Sequence, residues 1–266
     1  MKMKLDKAAA ANQALWEREV QQGCGYTVPW LDLDRDTVRQ YAGGALPPAA
    51  APETLALLTP RALLADAAGR DVLCLACGGG QQTAVFGLLG ARVTVVDLAA
   101  GQLAGDRAAA AHYGYPLTAL HGDMRDLSPL PDAAFDLVYG TAVTYVPDVQ
   151  QVYREVARVL RPGGLYRCDW TQPALHFTAW DGAAYRITRP YAEQVDQRTD
   201  GGIEFRHYLD DIFNGLLAAG LAIRQVDDLS RHTPPDPRAA PGSWAHQSTY
   251  LGGHFVIVAQ KRMRRR

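Results

Sequence analysis

Hydrophobic periodicity changes character near Arg70. Upstream, residues 8–22 set Leu15, Trp16 and Val20 among polar side chains, which predicts an amphipathic helix. A glycine-bounded aromatic segment follows, Gly23-Cys24-Gly25-Tyr26-Thr27-Val28-Pro29-Trp30, and then a second helical pattern near residues 33–41. Residues 43–52 are rich in Gly, Ala and Pro and read as a linker. Residues 53–68 carry a further helical pattern that delivers the chain to its first strand.

Downstream, short apolar runs alternate with helical stretches. Strands are predicted at 71–75, 91–97, 117–121, 135–139 and 164–170, with a helix between most neighbours. Such an alternation makes a parallel sheet with helices on both faces, joined by right-handed crossovers. A helix at 209–219, a strand at 221–229 and a last strand at 250–261 broken by Gly252-Gly253 complete the pattern. Residues 171–208 do not follow it. Within them, 184–187 and 203–208 alternate apolar and polar positions around Asp200-Gly201-Gly202, which predicts one hairpin. An insertion at this point sits above the carboxyl ends of the strands, where open α/β sheets bind ligands. The chain therefore divides into an N-terminal helical lid (1–52) and an α/β domain (53–266) carrying a cap at 171–208.

Three strand ends carry candidate chemistry. The run Val72-Leu73-Cys74-Leu75-Ala76-Cys77-Gly78-Gly79-Gly80-Gln81 passes from an apolar strand into three glycines and then a helix. Without Cβ atoms the backbone can turn sharply and a ligand can approach its N–H groups. Taken alone, the loop is weak evidence, because many Rossmann-like proteins have one and a purely structural tight turn is the lesser alternative. Asp97 ends the second strand, where a carboxylate can accept both hydroxyls of a ribose. Asp123, in Gly122-Asp123-Met124, ends the third and can accept a hydrogen bond from an adenine amino group. Each acid alone reads as a cap or turn residue; two at successive strand tips after a glycine loop point to an adenosine ligand.

With Phe135-Asp136-Leu137-Val138-Tyr139-Gly140 and Leu160-Arg161-Pro162-Gly163-Gly164 added to these signals, the chain resembles the class I S-adenosylmethionine (SAM)-dependent methyltransferases. The triple-glycine, double-glutamine loop followed by Gly90-Ala91-Arg92-Val93-Thr94-Val95-Val96-Asp97 is similar to a bacterial subgroup that includes natural-product enzymes. The resemblance implies a Rossmann-like, doubly wound sheet of seven mostly parallel strands, the last antiparallel, with SAM across the strand tips. It implies that Ala76, Gly78, Gly80 and Gln81 hold the methionine part, Asp97 and Gln102 the ribose region, and Leu98, Asp123 and Met124 the adenine. Thr141 would face the donor methyl and Tyr26 would close over it. The family often has an acid where Cys74 stands and a glycine where Ala76 stands.

Two other readings share the fold. An NAD-dependent oxidoreductase would need a third glycine where the loop has Gly78-Gly79-Gly80-Gln81-Gln82-Thr83, and it would use a Tyr-x-x-x-Lys pair that is absent, Lys261 being the only lysine after Lys7. A non-catalytic SAM-binding protein would show the same cofactor motifs.

Composition narrows the partners. Hydrophobic residues make up 48% and charged residues 21% of 266, and the formal net charge is −1. That balance excludes a largely disordered chain and offers no field for nucleic acid. The basic run at 261–266 reads as a solvated terminus. No apolar run approaches a membrane span, and residues 1–20 lack the apolar core of a signal peptide, so a cytoplasmic protein with no membrane partner is expected. Four cysteines make no disulfide framework; Cys74-x-x-Cys77 reads as two small buried positions. No metal-ligand spacing such as His-x-x-x-His occurs.

The expected partner is a small-molecule acceptor, and Trp16 on the first helix could pack against a second copy in a homodimer. The acceptor pocket is expected from the N-terminal segment, residues 141–145 and the cap, with Tyr26, Trp30, Tyr145, Phe177, Trp180, Tyr185 and Tyr191 as aromatic candidates. Tyr26, Tyr145 and His207 are the candidate catalytic residues, ahead of His176 and His246.

Overall fold

Strand β1 (Asp71–Leu75) is apolar at nearly every position because both of its faces are covered. Leu73 and Leu75 enter one core and Val72 and Cys74 the other. This places β1 in the middle of a sheet, and the computed structural model, which describes residues 5–140, 143–230 and 234–263, puts it there.

In chain order the elements are α1 (Lys7–Gln22), α2 (Arg35–Ala42), the single turns α3 (Glu53–Ala56) and α4 (Ala62–Ala65), β1, α5 (Gln82–Leu88), β2 (Arg92–Asp97), α6 (Ala100–Tyr113), β3 (Leu117–His121) and β4 (Phe135–Gly140). They continue with α7 (Val149–Val159), β5 (Leu160–Thr171), four short strands β6 (Thr178–Trp180), β7 (Tyr185–Ile187), β8 (Val195–Gln197) and β9 (Ile203–Phe205), then α8 (Leu209–Ala218), β10 (Leu221–Asp228), α9 (Trp244–Leu251) and β11 (His254–Lys261). The seven-stranded sheet runs β3-β2-β1-β4-β5-β11-β10, with β11 antiparallel to both neighbours. Helix α7 shows how the layers lock: Val149, Val152, Tyr153, Val156 and Ala157 form a single buried stripe on the sheet, and Asp148 caps its start by accepting from the N–H groups of Gln150 and Gln151.

The strands predicted from the sequence are present, as is the antiparallel last strand. Three expectations need correction. The helix read across 53–68 is two single turns, because Pro60 has no N–H to donate into a continuous helix. The cap holds two hairpins: 203–205 does turn back through Asp200-Gly201-Gly202, but onto β8, while 185–187 pairs with β6. The strand read from 250 begins at His254, after a helix that the sequence reading did not include.

Helix α1 packs along α6. Helix α6 has no side-chain cap of its own; Glu17 of α1 supplies one, its carboxylate accepting from the N–H groups of Ala100 (2.7 Å) and Gly101 (3.2 Å). Asn12, 2% exposed, donates to the carbonyls of Tyr145 (3.2 Å) and Ile203 (2.9 Å) and accepts from the Ile203 N–H (2.7 Å). An amide side chain thus takes the place of a neighbouring strand beside β9.

Ala76, directly after β1, sits at φ +52°, the left-handed region that costs an L-residue roughly 1–2 kcal/mol. Ala76→Gly relieves this and returns about 0.4–1 kcal/mol as unfolded-chain entropy. The expected net gain of about 0.5–1 kcal/mol should raise the thermal midpoint by about 1–4 °C in calorimetry. A lower midpoint would show that the methyl group's packing outweighs the strain.

Candidate active site

The strand order reverses between β1 and β4, and a cavity of about 770 Å³ opens there at the carboxyl ends of the strands. Ala76, Gly78 and Gln81 line it after β1, Asp97 and Leu98 after β2, and Asp123 and Met124 after β3. Gln102 of α6, Tyr26 of the lid and Tyr145 after β4 also line it. Gly80 does not. Thr141 lies outside the described residues.

The glycine loop is built differently from an anion-binding turn. Its N–H groups all point into the protein: Gly78 donates to Asp97 Oδ2 (3.0 Å), Gly79 to the Gln102 carbonyl (3.0 Å) and Gly80 to Asp106 Oδ1 (2.9 Å). The missing Cβ atoms serve this packing. On Gly78 a Cβ would stand 2.4 Å from Gln102 Cβ and 2.8 Å from Asp97 Oδ2; on Gly80 it would stand 2.5 Å from the Gly105 carbonyl oxygen. With these N–H groups paired inside the protein, the loop meets the cavity through Ala76, Cys77 and Gly78.

Asp97 also accepts from the Ala99 N–H (2.9 Å), and burial pushes its carboxyl up to about 6 against those hydrogen bonds. Gln102 Oε1 is buried with no hydrogen-bond partner among the described residues, an acceptor left over beside the cavity. Asp123 is bound by the Arg125 guanidinium (2.6 Å to Oδ2), which also reaches Asp6 at the start of α1. Any adenine amino group must share that carboxylate. Gln81 is spent elsewhere, its Nε2 donating to the carbonyls of Gly25 (2.7 Å) and Val28 (2.9 Å) and so fixing the Tyr26 segment to the glycine loop. The Tyr26 side chain itself is 70% exposed at the cavity mouth.

The other half of the cavity is walled by rings and by paired charges. Trp16 meets Tyr145 edge to face at 6.0 Å. Arg198 pairs with Glu204 (2.5 Å) and Asp200 (2.7 Å), and Arg167 with Asp169 (3.0 Å). Burial, with Glu204 alongside, raises the Tyr145 hydroxyl above its ordinary value, so it keeps its proton at neutral pH. His207 is 6% exposed, shares a hydrogen bond with the Val146 carbonyl (3.0 Å) behind Trp170, and does not line the cavity. Of the aromatic candidates, Trp30 lines the cavity, whereas Phe177 and Tyr191 surround Arg206, and Trp180 and Tyr185 surround His246, within the cap. His176 is buried beside Asp196.

Sequence reasoning missed His254 and Trp244, whose rings stand 4.9 Å apart on the cavity wall. It also missed Arg167 and Asp169, although two charges at alternate positions of an otherwise apolar strand were a usable signal. Among the described residues no cysteine forms a disulfide, and Cys74 and Cys77 are both buried, the Cys77 thiol donating to the carbonyls of Leu75 (3.2 Å) and Tyr139 (3.1 Å). Among the described residues no cluster of His, Cys, Asp and Glu is arranged for a metal, and no helix is long and apolar enough to cross a membrane.

Asp97→Ala is expected to weaken binding of SAM, the ligand implied by the sequence resemblance, by about 1.5–3 kcal/mol in calorimetry, the value of hydrogen bonds to a charged group. An unchanged affinity would reduce Asp97 to a turn cap. The pH dependence follows from the raised carboxyl. Hydroxyl donors favour the ionised form, so affinity is full above about 6 and declines as pH falls through it. From this group alone the loss between pH 7.5 and 5.5 is about fourfold. An affinity that rises on acidification would contradict it.

A methyltransferase domain model matches residues 73–168. An uncharacterized methyltransferase of Bacillus subtilis is 28% identical over 234 residues, covering 82% of this chain and 89% of its own length. Among solved structures, an S-adenosylmethionine-dependent methyltransferase from Mesorhizobium loti is 25% identical with a TM-score of 0.60, over 75% of this chain and 94% of that one. The Burkholderia thailandensis 1,6-didemethyltoxoflavin-N1-methyltransferase shares the fold at 18% identity with a TM-score of 0.58, over 98% of this chain and 93% of that one. In sheet order, in the place of its cavity and in its relatives the chain is similar to the SAM-dependent methyltransferases, and residues 73–168 carry the methyltransferase domain.

Proposed function

We propose that this methyltransferase acts on a small, flat aromatic or heteroaromatic acceptor, as a natural-product type enzyme working in the cytoplasm. The observation that carries the reading is the ring-lined half of the cavity, where Trp16, Tyr26, Trp30, Tyr145, Trp170 and Trp244 converge from the lid, the sheet and α9. Its volume of about 770 Å³ lies within the usual range for small-ligand pockets. The same fold in the Burkholderia enzyme holds 1,6-didemethyltoxoflavin together with S-adenosylhomocysteine.

The residues of the other half fit the cofactor. Asp97, each of whose oxygens accepts one backbone N–H and so retains a further lone pair, lines the cavity where ribose hydroxyls would lie, with Gln102 beside it. Leu98 and Met124 offer apolar surface to either side of an adenine, with Asp123 at its edge. When bound, SAM supplies a methyl group already activated on a sulfonium. What remains for the protein is alignment of the nucleophile at about 3 Å and exclusion of water. Tyr26 is placed to close the mouth, since its backbone is fixed by Gln81 while its ring is exposed. Tyr145, whose hydroxyl is shared with the Glu204 carboxylate, offers its ring as a wall for the acceptor. For an acceptor that must lose a proton, His254 takes the place first assigned to His207. It lines the cavity against Trp244, and desolvation lowers it below its ordinary 6.5, which keeps it neutral and able to accept at pH 7.

Two measurements test this. Thermal-shift assays with S-adenosylhomocysteine present should show added stabilisation by flat phenols or fused heteroaromatics and none by extended peptides. Stabilisation by peptides alone would sink the acceptor class. On an acceptor found this way, Tyr26→Phe should be tolerated within a few-fold if the ring alone closes the site. Tyr26→Ala should lower turnover at least about tenfold, or ~1.4 kcal/mol of barrier, with little change in SAM affinity.

A further inference from the structure

We propose that Asp106 is a positioning residue for the cofactor, its carboxylate holding the glycine loop in its binding geometry through the Gly80 N–H and the Thr83 hydroxyl. The proposal rests on the SAM-binding reading of the cavity and extends it to a group that does not line it.

Asp106 lies on α6 with no exposed surface. Its Oδ1 accepts from Gly80 N (2.9 Å) and Thr83 Oγ1 (2.7 Å), while Oδ2 is buried without a partner. An acid fully removed from water and only half satisfied is costly, and an apolar residue would be the cheaper filling. What the site obtains is control of the loop from both flanks. Asp97 holds Gly78 from β2 and Asp106 holds Gly80 from α6, nine residues apart on one strand–helix unit. The backbone contact makes this control direct, since a Cβ on Gly105 would stand 2.9 Å from the Gly79 carbonyl oxygen. Losing the Gly80 clamp would let that carbonyl and the cavity-lining Gly78 shift together.

The groups facing Asp106 are Asp97 from β2, Cys74 from β1 and Tyr115 beyond α6, while α5 brings the Thr83 hydroxyl. None is cationic. Burial above all, with Asp97 adding repulsion, pushes the Asp106 carboxyl up to about 7. Protonation would place an O–H at Oδ2, where no acceptor stands, and would weaken the bond from Gly80. The ionised form is therefore the one that clamps the loop.

Calorimetry with S-adenosylhomocysteine tests the proposal on the full chain. Asp106→Ala should weaken binding at least about tenfold at pH 8, as loss of a charge-assisted acceptor implies. Asp106→Asn keeps the Oδ1 acceptor without the charge. It should restore affinity at pH 8 to within about threefold of wild type, and it should remove the decline that wild type shows from pH 8 to pH 6.5. Thermal unfolding of each ligand-free variant separates loop positioning from loss of fold. Should Asp106→Ala fail to fold, Thr83→Val, which deletes only the hydroxyl, should still weaken binding about threefold. Binding by Asp106→Ala within twofold of wild type, or a pH slope unchanged in Asp106→Asn, overturns the proposal. No binding by wild type at pH 8 overturns the cofactor reading along with it, which distinguishes the two failures.

Discussion

The contact on which the site depends is backbone against backbone: the glycine loop after β1 pressed onto Gly105 of α6. A Cβ on Gly80 would meet the Gly105 carbonyl at 2.5 Å, and on Gly78 and Gly79 it would meet the Gln102 side chain at 2.4 and 2.8 Å, so packing asks for all three glycines before any ligand is considered. Because the loop lies so close, its N–H groups find their acceptors inside the protein, on Asp97, Gln102 and Asp106. Buried backbone donors must be paired, and here the pairing also determines where Gly78 faces the cavity. Two carboxylates in that environment are each pushed towards neutrality by desolvation. Above about 7 both are ionised all the same, and only then is the donor site negatively biased towards a net cationic ligand.

Helix α6 passes this constraint outward. Its amino end is capped by Glu17, so the lid helix is joined to the same element that receives the glycine loop. The lid is therefore not a loose flap. Its helix is fixed at Asp6, Asn12 and Glu17, and its aromatic segment at Gln81. The freedom left for closure resides in side chains such as Tyr26.

Legibility in the sequence followed burial. The central strands β1 and β4 are covered on both faces, so each is a nearly continuous apolar run that can be read without knowing its partners, and β2 and β3 follow from the alternation around them. Asp97 and Asp123 were found because they stand at the ends of such strands. Alternation in the cap showed that 185–187 and 203–205 are strands, but a period of two does not name the partner, and β6 and β8 are only three residues each. Helix α9 has no buried residue and hence no apolar stripe to detect. His254 and His207 are indistinguishable as lone histidines. Only the register of β11, which sets His254 opposite Thr171 at the end of β5, brings one of them to the cavity. Asp106 gave no signal because a buried acid inside a helix reads as part of its polar face.

Methyl transfer from a sulfonium asks little acid–base chemistry of the protein and much geometry, and this chain divides the geometry unevenly. The donor side is fixed by backbone within residues 73–168, the stretch matched by the family model. The other half of the cavity draws on the lid, the cap and residues 244–254, all outside that stretch, together with Tyr145 and Arg167 inside it. Polar atoms join these segments: Asn12 joins the lid to both Tyr145 and Ile203, and the Tyr185 hydroxyl of the cap meets His246 of α9. A substitution among the exposed or half-buried rings of the acceptor side can reshape that wall without touching the glycine loop, whereas a substitution at Gly79 or Gly105 meets backbone at once. Donor recognition is in this way insulated from acceptor specificity by the packing itself.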